Sequence, residues 1–411
     1  MGSAKWLLIF VVLCAILVLP VGKFINNLYK DKTNYEILDP IAKTKSIFSF
    51  FIKQKPKPQS IVFGYLPYWS IDKLKYIQLD KLTDIAYFGL NIKDDGTFQT
   101  TLDDGTAEPG YNHWRNDKDL ANFIGYAKKM GIRISLTIIS HDDTISDKFL
   151  GCKDCWPVLL NSIKTELDYQ HITDVNLNFE YVDFQKSEMA DNYTQLTQYL
   201  NTELDKTYGN SFVTVATFAD AFVKPRVTNV EQLGKVADAL FIMAYDFQQP
   251  NSDSAGPVAP IEGKGTESSY DITTMLKDYL AVVPPNKLLF GVPYYGYNWI
   301  VEEDKPLAKR VPGNDTIGKS QSQAYSDIMD AILDLKPVVN WDDVGKVPYF
   351  TYKSKETGMT REVYFENAQS LKVKYDLIKQ NNLAGVGIWA LGYDGGYQEL
   401  WNLLGDEFLK Q

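Results

Sequence analysis

The stretch DVNLNFE, residues 174–180, alternates polar and apolar side chains over seven residues. Successive side chains of a β-strand project to opposite faces, so this alternation predicts a strand with one polar and one apolar face. The polar set is Asp174, Asn176, Asn178 and Glu180, and the apolar set is Val175, Leu177 and Phe179. A solvent-facing edge strand of an antiparallel sheet would show the same pattern, so the rest of the chain must decide the fold.

Short β-branched or aromatic runs recur eight times after Ser60, and amphipathic helical patterns lie between them. The runs begin at Ile61, Asp84, Arg133, Asp174, Phe212, Ala239, Leu288 and Gly385. Strands that alternate with helices predict a parallel sheet, and eight such units predict an α/β fold of the closed (β/α)8 barrel type, a TIM barrel. A doubly wound open sheet is the alternative fold.

The interval between Leu288 and Gly385 is too long for a single connecting helix. We therefore expect an inserted α+β lobe at about residues 300–366, between strand 7 and helix 7 of the barrel. The runs VPYFTYK and REVYFEN are its predicted strands.

A barrel changes the interpretation of the polar face at residues 174–180. Parallel strands are buried on both faces and are normally apolar throughout, so polar residues at every second position are unusual. In a barrel the polar set points inward and rises towards the carboxyl-terminal mouth, where barrel enzymes carry their catalytic groups. Glu180 is then predicted at the mouth. The alternative is an internal polar layer that is fully satisfied by hydrogen bonds.

The composition of the 411-residue chain limits the possible partners. The chain is 45% hydrophobic and 13% aromatic, which is enough to bury a large core, and its formal net charge is −10. An acidic protein is poorly suited to track the phosphates of a nucleic acid, so no nucleic-acid partner is expected. Neutral ligands remain possible, and we expect a monomer.

The first 59 residues differ in charge from the remainder. They contain nine lysines against three acidic residues, a net charge of +6, which leaves −16 for residues 60–411. The uncharged segment Trp6–Gly22 would span about 25 Å as a helix, at the short end of what crosses a bilayer. We expect residues 1–23 to form a membrane anchor, residues 24–59 a stem, and residues 60–411 an extracytoplasmic domain. A cleaved signal, which would release a secreted protein, is the alternative.

Cys152 and Cys155 form a Cys-Lys-Asp-Cys motif after the third predicted strand. A zinc site would need two more ligands, and the three histidines of the chain show no metal-like spacing. We therefore expect no metal and no cofactor. The pair is predicted to form a small loop disulfide if the domain is exported, or to remain reduced in the cytoplasm.

Several motifs in order resemble glycoside hydrolase family 18. They are FGYLPYW from Phe63, DVNLNFE from Asp174, MAYD from Met243, GVPYYGYNW from Gly291 and GVGIWALGYDGGYQELW from Gly385. The resemblance covers about residues 60–405. It implies a (β/α)8 catalytic domain that cleaves β-linked N-acetylglucosamine polymers such as chitin or peptidoglycan.

The resemblance also implies roles for individual residues. Glu180 matches the general acid of the family motif Asp-x-x-Asp-x-Asp-x-Glu, whereas Thr173, Asn176 and Asn178 stand where the family has Asp. Family 85 endo-N-acetylglucosaminidases are similar in having Asn beside the catalytic Glu. Tyr245 matches the tyrosine that binds the substrate acetamide. The remaining substrate-binding candidates are Tyr65, Asn176, Met243, Asp246, Tyr295, Trp299 and Trp389.

Trp389 matches the aromatic floor of the family's sugar site, although a core tryptophan would fit the same strand.

Strand four supplies a single mouth carboxylate, whereas glycosidic cleavage ordinarily uses two. A 2-acetamido sugar can supply its own nucleophile, so the expected reaction is substrate-assisted and retaining, with Glu180 as acid and then base.

Two functional classes follow from these residues. The first is a membrane-tethered N-acetylglucosaminidase, which the presence of Glu180 favours. The second is a sugar-binding, lectin-like protein of the same fold, which the replacement of the Asp residues favours.

Overall fold

The computed structural model of the protein describes residues 60–182, 188–224, 226–266 and 268–409. The predicted membrane anchor and stem, residues 1–59, lie outside the described residues. Among those that are described, no helix is both long enough and apolar enough to cross a membrane.

Eight parallel strands close into a barrel, which confirms the predicted fold and excludes the open sheet. The barrel strands are β1 (Ile61–Pro67), β2 (Asp84–Asn91), β3 (Arg133–Ser140), β4 (Asp174–Phe179), β5 (Val213–Phe218), β6 (Ala239–Met243), β7 (Leu288–Pro293) and β13 (Gly385–Trp389). Their order around the barrel is β1-β13-β7-β6-β5-β4-β3-β2. All carboxyl ends therefore meet at one mouth.

Most helices connect barrel strands, and several of them begin at a side-chain cap. They are α1 (Pro109–Asn116), α2 (Lys118–Lys129), α3 (Asp143–Gly151), α4 (Trp156–Gln170), α5 (Glu188–Tyr208), α6 (Val230–Val236), α7 (Ile272–Leu280), α8 (Tyr325–Leu335), α9 (Ala368–Gln380) and α10 (Glu399–Leu404). The side chain of Asp142, for example, accepts the Ile145 N–H at the start of α3. Such caps satisfy N–H groups that the first helical turn leaves without a partner.

The inserted lobe lies between β7 and α9, the seventh barrel helix. Its strands are β8 (Tyr295–Val301), β9 (Gln321–Ala324), β10 (Asn340–Asp342), β11 (Val347–Lys353) and β12 (Thr360–Tyr364). They form an antiparallel sheet in the order β10-β11-β12-β8-β9, and α8 belongs to the same insertion. The lobe begins earlier than residue 300, because Tyr294 alone separates β7 from β8.

The apolar face of β4 packs outward against helices, as the alternation predicts. Val175 and Leu177 are fully buried, and the Phe179 ring lies 4.8 Å from the Tyr193 ring of α5. Burying each such side chain contributes about 1.5–3 kcal/mol to folding. This packing fixes which face of β4 points into the barrel.

Aromatic rings fill the barrel interior beneath the mouth. The Phe241 ring of β6 is fully buried, 4.8 Å from the Tyr65 ring of β1. Space for it depends on glycine, since a Cβ at Gly387 would lie 2.0 Å from the Phe241 Cε2 atom. The mouth is thus a site with a closed, packed floor.

Candidate active site

The β3–β4 register brings Glu180 to the mouth. Ile139 pairs with Asn178 and Ser140 with Phe179, and the Glu180 N–H donates to the Ser140 carbonyl at 3.0 Å. The Glu180 side chain is 34% exposed, so its carboxylate is accessible from the cleft while its backbone is held by β3.

The lower polar residues of β4 are fully hydrogen-bonded. The Arg133 guanidinium makes two 2.8 Å bonds to the two oxygens of Asp174, and the Phe212 N–H adds a third at 3.0 Å. Asn176, one layer higher, accepts the Tyr65 hydroxyl at 3.0 Å. It also donates to the Thr214 hydroxyl at 2.8 Å. These two layers match the alternative of an internal polar layer, and Asn176 is wholly buried beneath the cleft rather than lining it.

The upper residue, Asn178, is different. Its amide nitrogen lies 3.1 Å from Glu180 Oε1 and 3.2 Å from His141 Nε2. Its carbonyl oxygen is buried and has no hydrogen-bond partner within the described part of the chain. An unpaired buried acceptor costs folding free energy, roughly 1–3 kcal/mol, so a ligand N–H is the natural partner for it.

His141 is a site residue that the sequence interpretation missed, because histidine spacing was considered only for a metal site. Its Nε2 lies 3.4 Å from Glu180 Oε1. It is the first residue after β3, the neighbour of β4, and that position is the signal that could have identified it. Among the described residues, no cluster of His, Cys, Asp or Glu could hold a metal ion.

Asp246 follows Tyr245 at the end of β6 and is held by the inserted lobe. Its Oδ1 accepts hydrogen bonds from the hydroxyls of Tyr295 and, at 2.6 Å, Tyr297. Burial raises the pKa of Asp246, the two hydroxyl donors oppose that effect, and the charge of Glu180 adds to it. Burial likewise raises the pKa of Tyr245 far above its ordinary value, so its hydroxyl stays a neutral donor.

A cleft of about 600 Å³ lies at the mouth of the barrel. Of the residues expected at the site, the cleft is lined by Tyr65, Asn178, Glu180, Met243, Tyr245, Asp246, Tyr295 and Trp389. The Trp389 side chain is partly exposed there, and its ring lies 5.5 Å from that of Tyr65. A cleft of this size with an aromatic surface and a few polar groups is typical of a small-molecule or sugar site.

The cleft also includes charged residues that the sequence did not single out. Asp220, after β5, is held by two bonds of 2.9 and 2.8 Å from Arg226 and by Lys224 at 3.0 Å. Burial tends to raise the pKa of Asp220, but these two cations outweigh it and lower the pKa. The Lys224 side chain remains 61% exposed at the rim.

Trp299 does not contact the cleft, contrary to the rim position expected for it. It is fully buried in the lobe, and its Nε1–H donates to the Gln249 carbonyl at 3.1 Å. The alternation of β8 places Trp299 on the same face as Tyr295, but Trp299 lies four residues farther along the strand, where the lobe covers it completely. Gln249 itself lines the cleft, so Trp299 supports the wall from behind.

Cys152 and Cys155 are joined by a disulfide in the structure. Cys152 precedes a short 3-10 turn between α3 and α4, and Cys155 is the last residue of that turn. Neither cysteine lines the cleft.

The chain is similar in sequence to proteins of a known family. The family model for glycosyl hydrolases family 18 matches residues 61–394. The cortical fragment-lytic enzyme of Bacillus anthracis is 24% identical, over 80% of this chain and 68% of that protein. Human di-N-acetylchitobiase is 26% identical, over 70% of this chain and 76% of its own length. The match to the Bacillus subtilis cortical fragment-lytic enzyme spans only 36% of that protein.

Solved structures show the same fold. The Bacillus megaterium QM B1551 spore cortex-lytic enzyme SleL superposes with a TM-score of 0.67 at 22% identity, over 86% of this chain and 75% of that one. The Ostrinia furnacalis group IV chitinase in complex with allosamidin gives 0.71 at 18% identity, over 84% of this chain and 98% of that one. With the family model matching most of the chain, the sequence resemblance is confirmed: the chain is a glycoside hydrolase and belongs to family 18.

Proposed function

We propose that the protein hydrolyses β-linked N-acetylglucosamine-containing glycans by a substrate-assisted, retaining mechanism in which Glu180 is the general acid and base. The observation that carries this proposal is the pairing at the end of β4. One accessible carboxylate, Glu180, stands beside one buried amide, Asn178, whose carbonyl oxygen has no partner within the described residues.

The first step needs a proton and a nucleophile. Glu180 gives its proton to the glycosidic oxygen as the bond to the anomeric carbon breaks. The carbonyl oxygen of the substrate's own 2-acetamido group bonds to that carbon from the opposite face and forms an oxazolinium ring. In the second step Glu180 takes a proton from water, whose oxygen attacks the same carbon and reopens the ring. Two inversions give net retention.

The protein must hold the acetamide for this reaction. The free carbonyl oxygen of Asn178 is an acceptor for the acetamide N–H, which aligns the acetamide oxygen with the anomeric carbon. The Tyr245 hydroxyl, kept protonated by burial, is a donor for the acetamide oxygen. Positioning of this kind can supply a large part of a rate enhancement, because an intramolecular nucleophile needs no further ordering.

Trp389 supplies the apolar surface for the sugar. Its partly exposed ring lines the cleft, and neighbouring rings hold it edge-on, with Phe88 at 4.7 Å. Stacking against an aromatic face suits the apolar face of a pyranose. Asp246 is fixed by two tyrosine hydroxyls on the other side of the cleft, and we assign it to substrate binding with Tyr295 and Met243.

The glycan itself is tested by product analysis. Purified peptidoglycan and chitin oligomers are each incubated with the wild-type protein and with Glu180→Gln, and products are identified by mass spectrometry. Proton NMR of fresh products reports the anomer. The proposal is supported if the wild type, but not Glu180→Gln, forms products that keep the β configuration. Inverted products refute the mechanism, and binding without turnover on every acetamido polymer favours the lectin-like alternative.

We also propose that the domain acts outside the cytoplasm, tethered by residues 6–22. The uncharged segment Trp6–Gly22 and the Cys152–Cys155 disulfide support this, since the segment is about long enough to cross a bilayer as a helix and disulfides persist in oxidising compartments. Protease added to intact cells should degrade the domain, and thiol labelling after denaturation should find both cysteines oxidised. A protected domain with two free thiols would reverse the assignment.

A further inference from the structure

His141 contacts both Glu180 and Asn178. The mechanism proposed above does not say which groups hold the catalytic proton before it is transferred, and these contacts bear on that question. Asn178 Nδ2 carries two hydrogens and has two neighbours, Glu180 Oε1 at 3.1 Å and His141 Nε2 at 3.2 Å. Donating one hydrogen to each leaves His141 Nε2 as an acceptor. In neutral His141 the ring proton is then on Nδ1.

The geometry leaves two acceptors facing each other. His141 Nε2 and Glu180 Oε1 are 3.4 Å apart. With Glu180 ionised and His141 neutral, no hydrogen lies between them. One added proton turns this contact into a hydrogen bond from the Glu180 carboxyl to Nε2, or into an ion pair between the imidazolium and the carboxylate.

We propose that His141 and Glu180 hold one proton between them, so that His141 is the positioning residue that keeps the general acid protonated. This inference rests on the proposed function of Glu180. Asn178 orients both partners but cannot supply or accept the proton itself, because an amide does not titrate.

Other ionisable groups also surround the pair. Burial raises the pKa of Tyr65, Tyr245 and Asp246, and the charge of Glu180 adds to this effect in each case. On the side of β2, His141 faces the Phe88 ring at 6.0 Å. The next residues in the chain, Asp142 and Asp143, bond to the backbone N–H groups of Ile145 and Val182. All of these are retained when His141 alone is changed.

The first test follows the histidine ring by ¹⁵N NMR and needs no turnover. The chain has three histidines, so His141→Gln identifies the signal by its loss. In the wild type we expect the Nδ1–H tautomer at high pH. The titration midpoint should fall by about one pH unit in Glu180→Gln, because the carboxylate that favours the imidazolium is gone. An unchanged midpoint would overturn the proposal.

The second test is the pH profile of kcat/KM. Because either partner can carry it, the last proton should leave the pair at a higher pH than it would leave Glu180 alone, by roughly one pH unit for a coupling on the order of 1 kcal/mol. His141→Gln should therefore move the alkaline limb down by about one unit. A purely structural role would lower the rate at every pH and leave the limb in place, and that result would refute the inference.

The matched control is His113→Gln. His113 pairs with Asp117 at 2.9 Å on α1, away from the cleft, and its removal should shift neither limb. Circular dichroism checks that each variant folds. If the wild type shows no turnover on any acetamido polymer, the proposed function fails, and the NMR titration still decides whether the pair shares a proton.

Discussion

The two ends of β4 carry similar polar residues in opposite circumstances. At the lower end, Asp174 receives two bonds from Arg133 and one from the Phe212 N–H. At the mouth, Asn178 keeps an unpaired, buried carbonyl oxygen within the described part of the chain, and Glu180 is a third exposed. Satisfied groups stabilise the folded chain, whereas a group without a partner lowers stability and is available to a ligand. The difference separates the residues that we assign to the structure of β4 from those that we assign to the proposed active site.

Glu180→Gln should show the largest effect and separate the two ends most clearly. Turnover should fall by about 10² to 10⁴, because general acid–base catalysis is lost while the shape is kept. The melting temperature and the affinity for a chitin oligomer, measured by calorimetry, should remain close to wild type. A variant with wild-type turnover would remove Glu180 from the mechanism.

Arg133→Met should give the opposite result at the lower end. It leaves the Asp174 carboxylate buried without its cation and should cost roughly 2–3 kcal/mol of unfolding free energy. Fully buried pairs cost more, but the Arg133 side chain is 33% exposed. Urea denaturation measures the loss, and kcat per folded molecule should not change. The double variant Arg133→Met/Asp174→Asn should recover part of the stability. A fall in kcat at constant stability would contradict the assignment of Arg133 and Asp174 to a structural role.

Asn178→Asp sharpens the comparison at the mouth by adding a charge. A second carboxylate beside Glu180 disfavours ionisation of the acid, so the alkaline limb of kcat/KM should move up by about one pH unit. The variant should stay active or become more active. Asn178→Ala is the control, since it also removes the N–H donor to Glu180 but adds no charge, and it should raise the limb by less than Asn178→Asp does. A limb at equal or lower pH in the Asp variant would show that residue 178 does not set the ionisation.

Tyr65→Phe tests whether the Asn176 layer belongs with the lower end of β4 or with the mouth. Its effect should be the smallest of the four. It leaves the buried Asn176 oxygen without the Tyr65 hydroxyl and should cost about 1 kcal/mol of unfolding free energy. Activity should stay within about tenfold, since the ring still packs near Trp389. Urea denaturation measures the unfolding free energy of this variant, and steady-state kinetics measures its activity. Lost activity at unchanged stability would place the Asn176 layer with the mouth instead.

The sequence predicts the barrel, the inward face of β4 and the position of Glu180, because strand periodicity and chain order determine them. It does not predict which inward polar residues are satisfied. That depends on partners far away in the chain, such as Tyr65 for Asn176 and Arg133 for Asp174. The alternation that identified Glu180 therefore fits the structural layer of Asp174 and Asn176 equally well.

His141 and Trp299 also show that the sequence pattern does not determine which residues lie at the site. The sequence interpretation missed His141, and it placed Trp299 at the rim although Trp299 is buried in the lobe. His141 lies at the site because β3 and β4 are neighbours in a particular register, which a search for metal spacing does not consider. Trp299 belongs to a matching motif, yet its strand is part of the lobe, and its burial depends on how that lobe packs against Gln249. Local pattern identifies residue types, and tertiary packing decides whether each one contacts substrate.

Three side chains on one face of β8 have a consequence for the kinetics of binding. Tyr295 and Tyr297 bond to Asp246, and Trp299 bonds to the Gln249 carbonyl, so the chain's own hydrogen bonds anchor the wall of the cleft after β6 at two points. A wall that is ordered in advance loses little conformational entropy when a glycan arrives. Association should then proceed in one step, with no slow closure visible in stopped-flow traces.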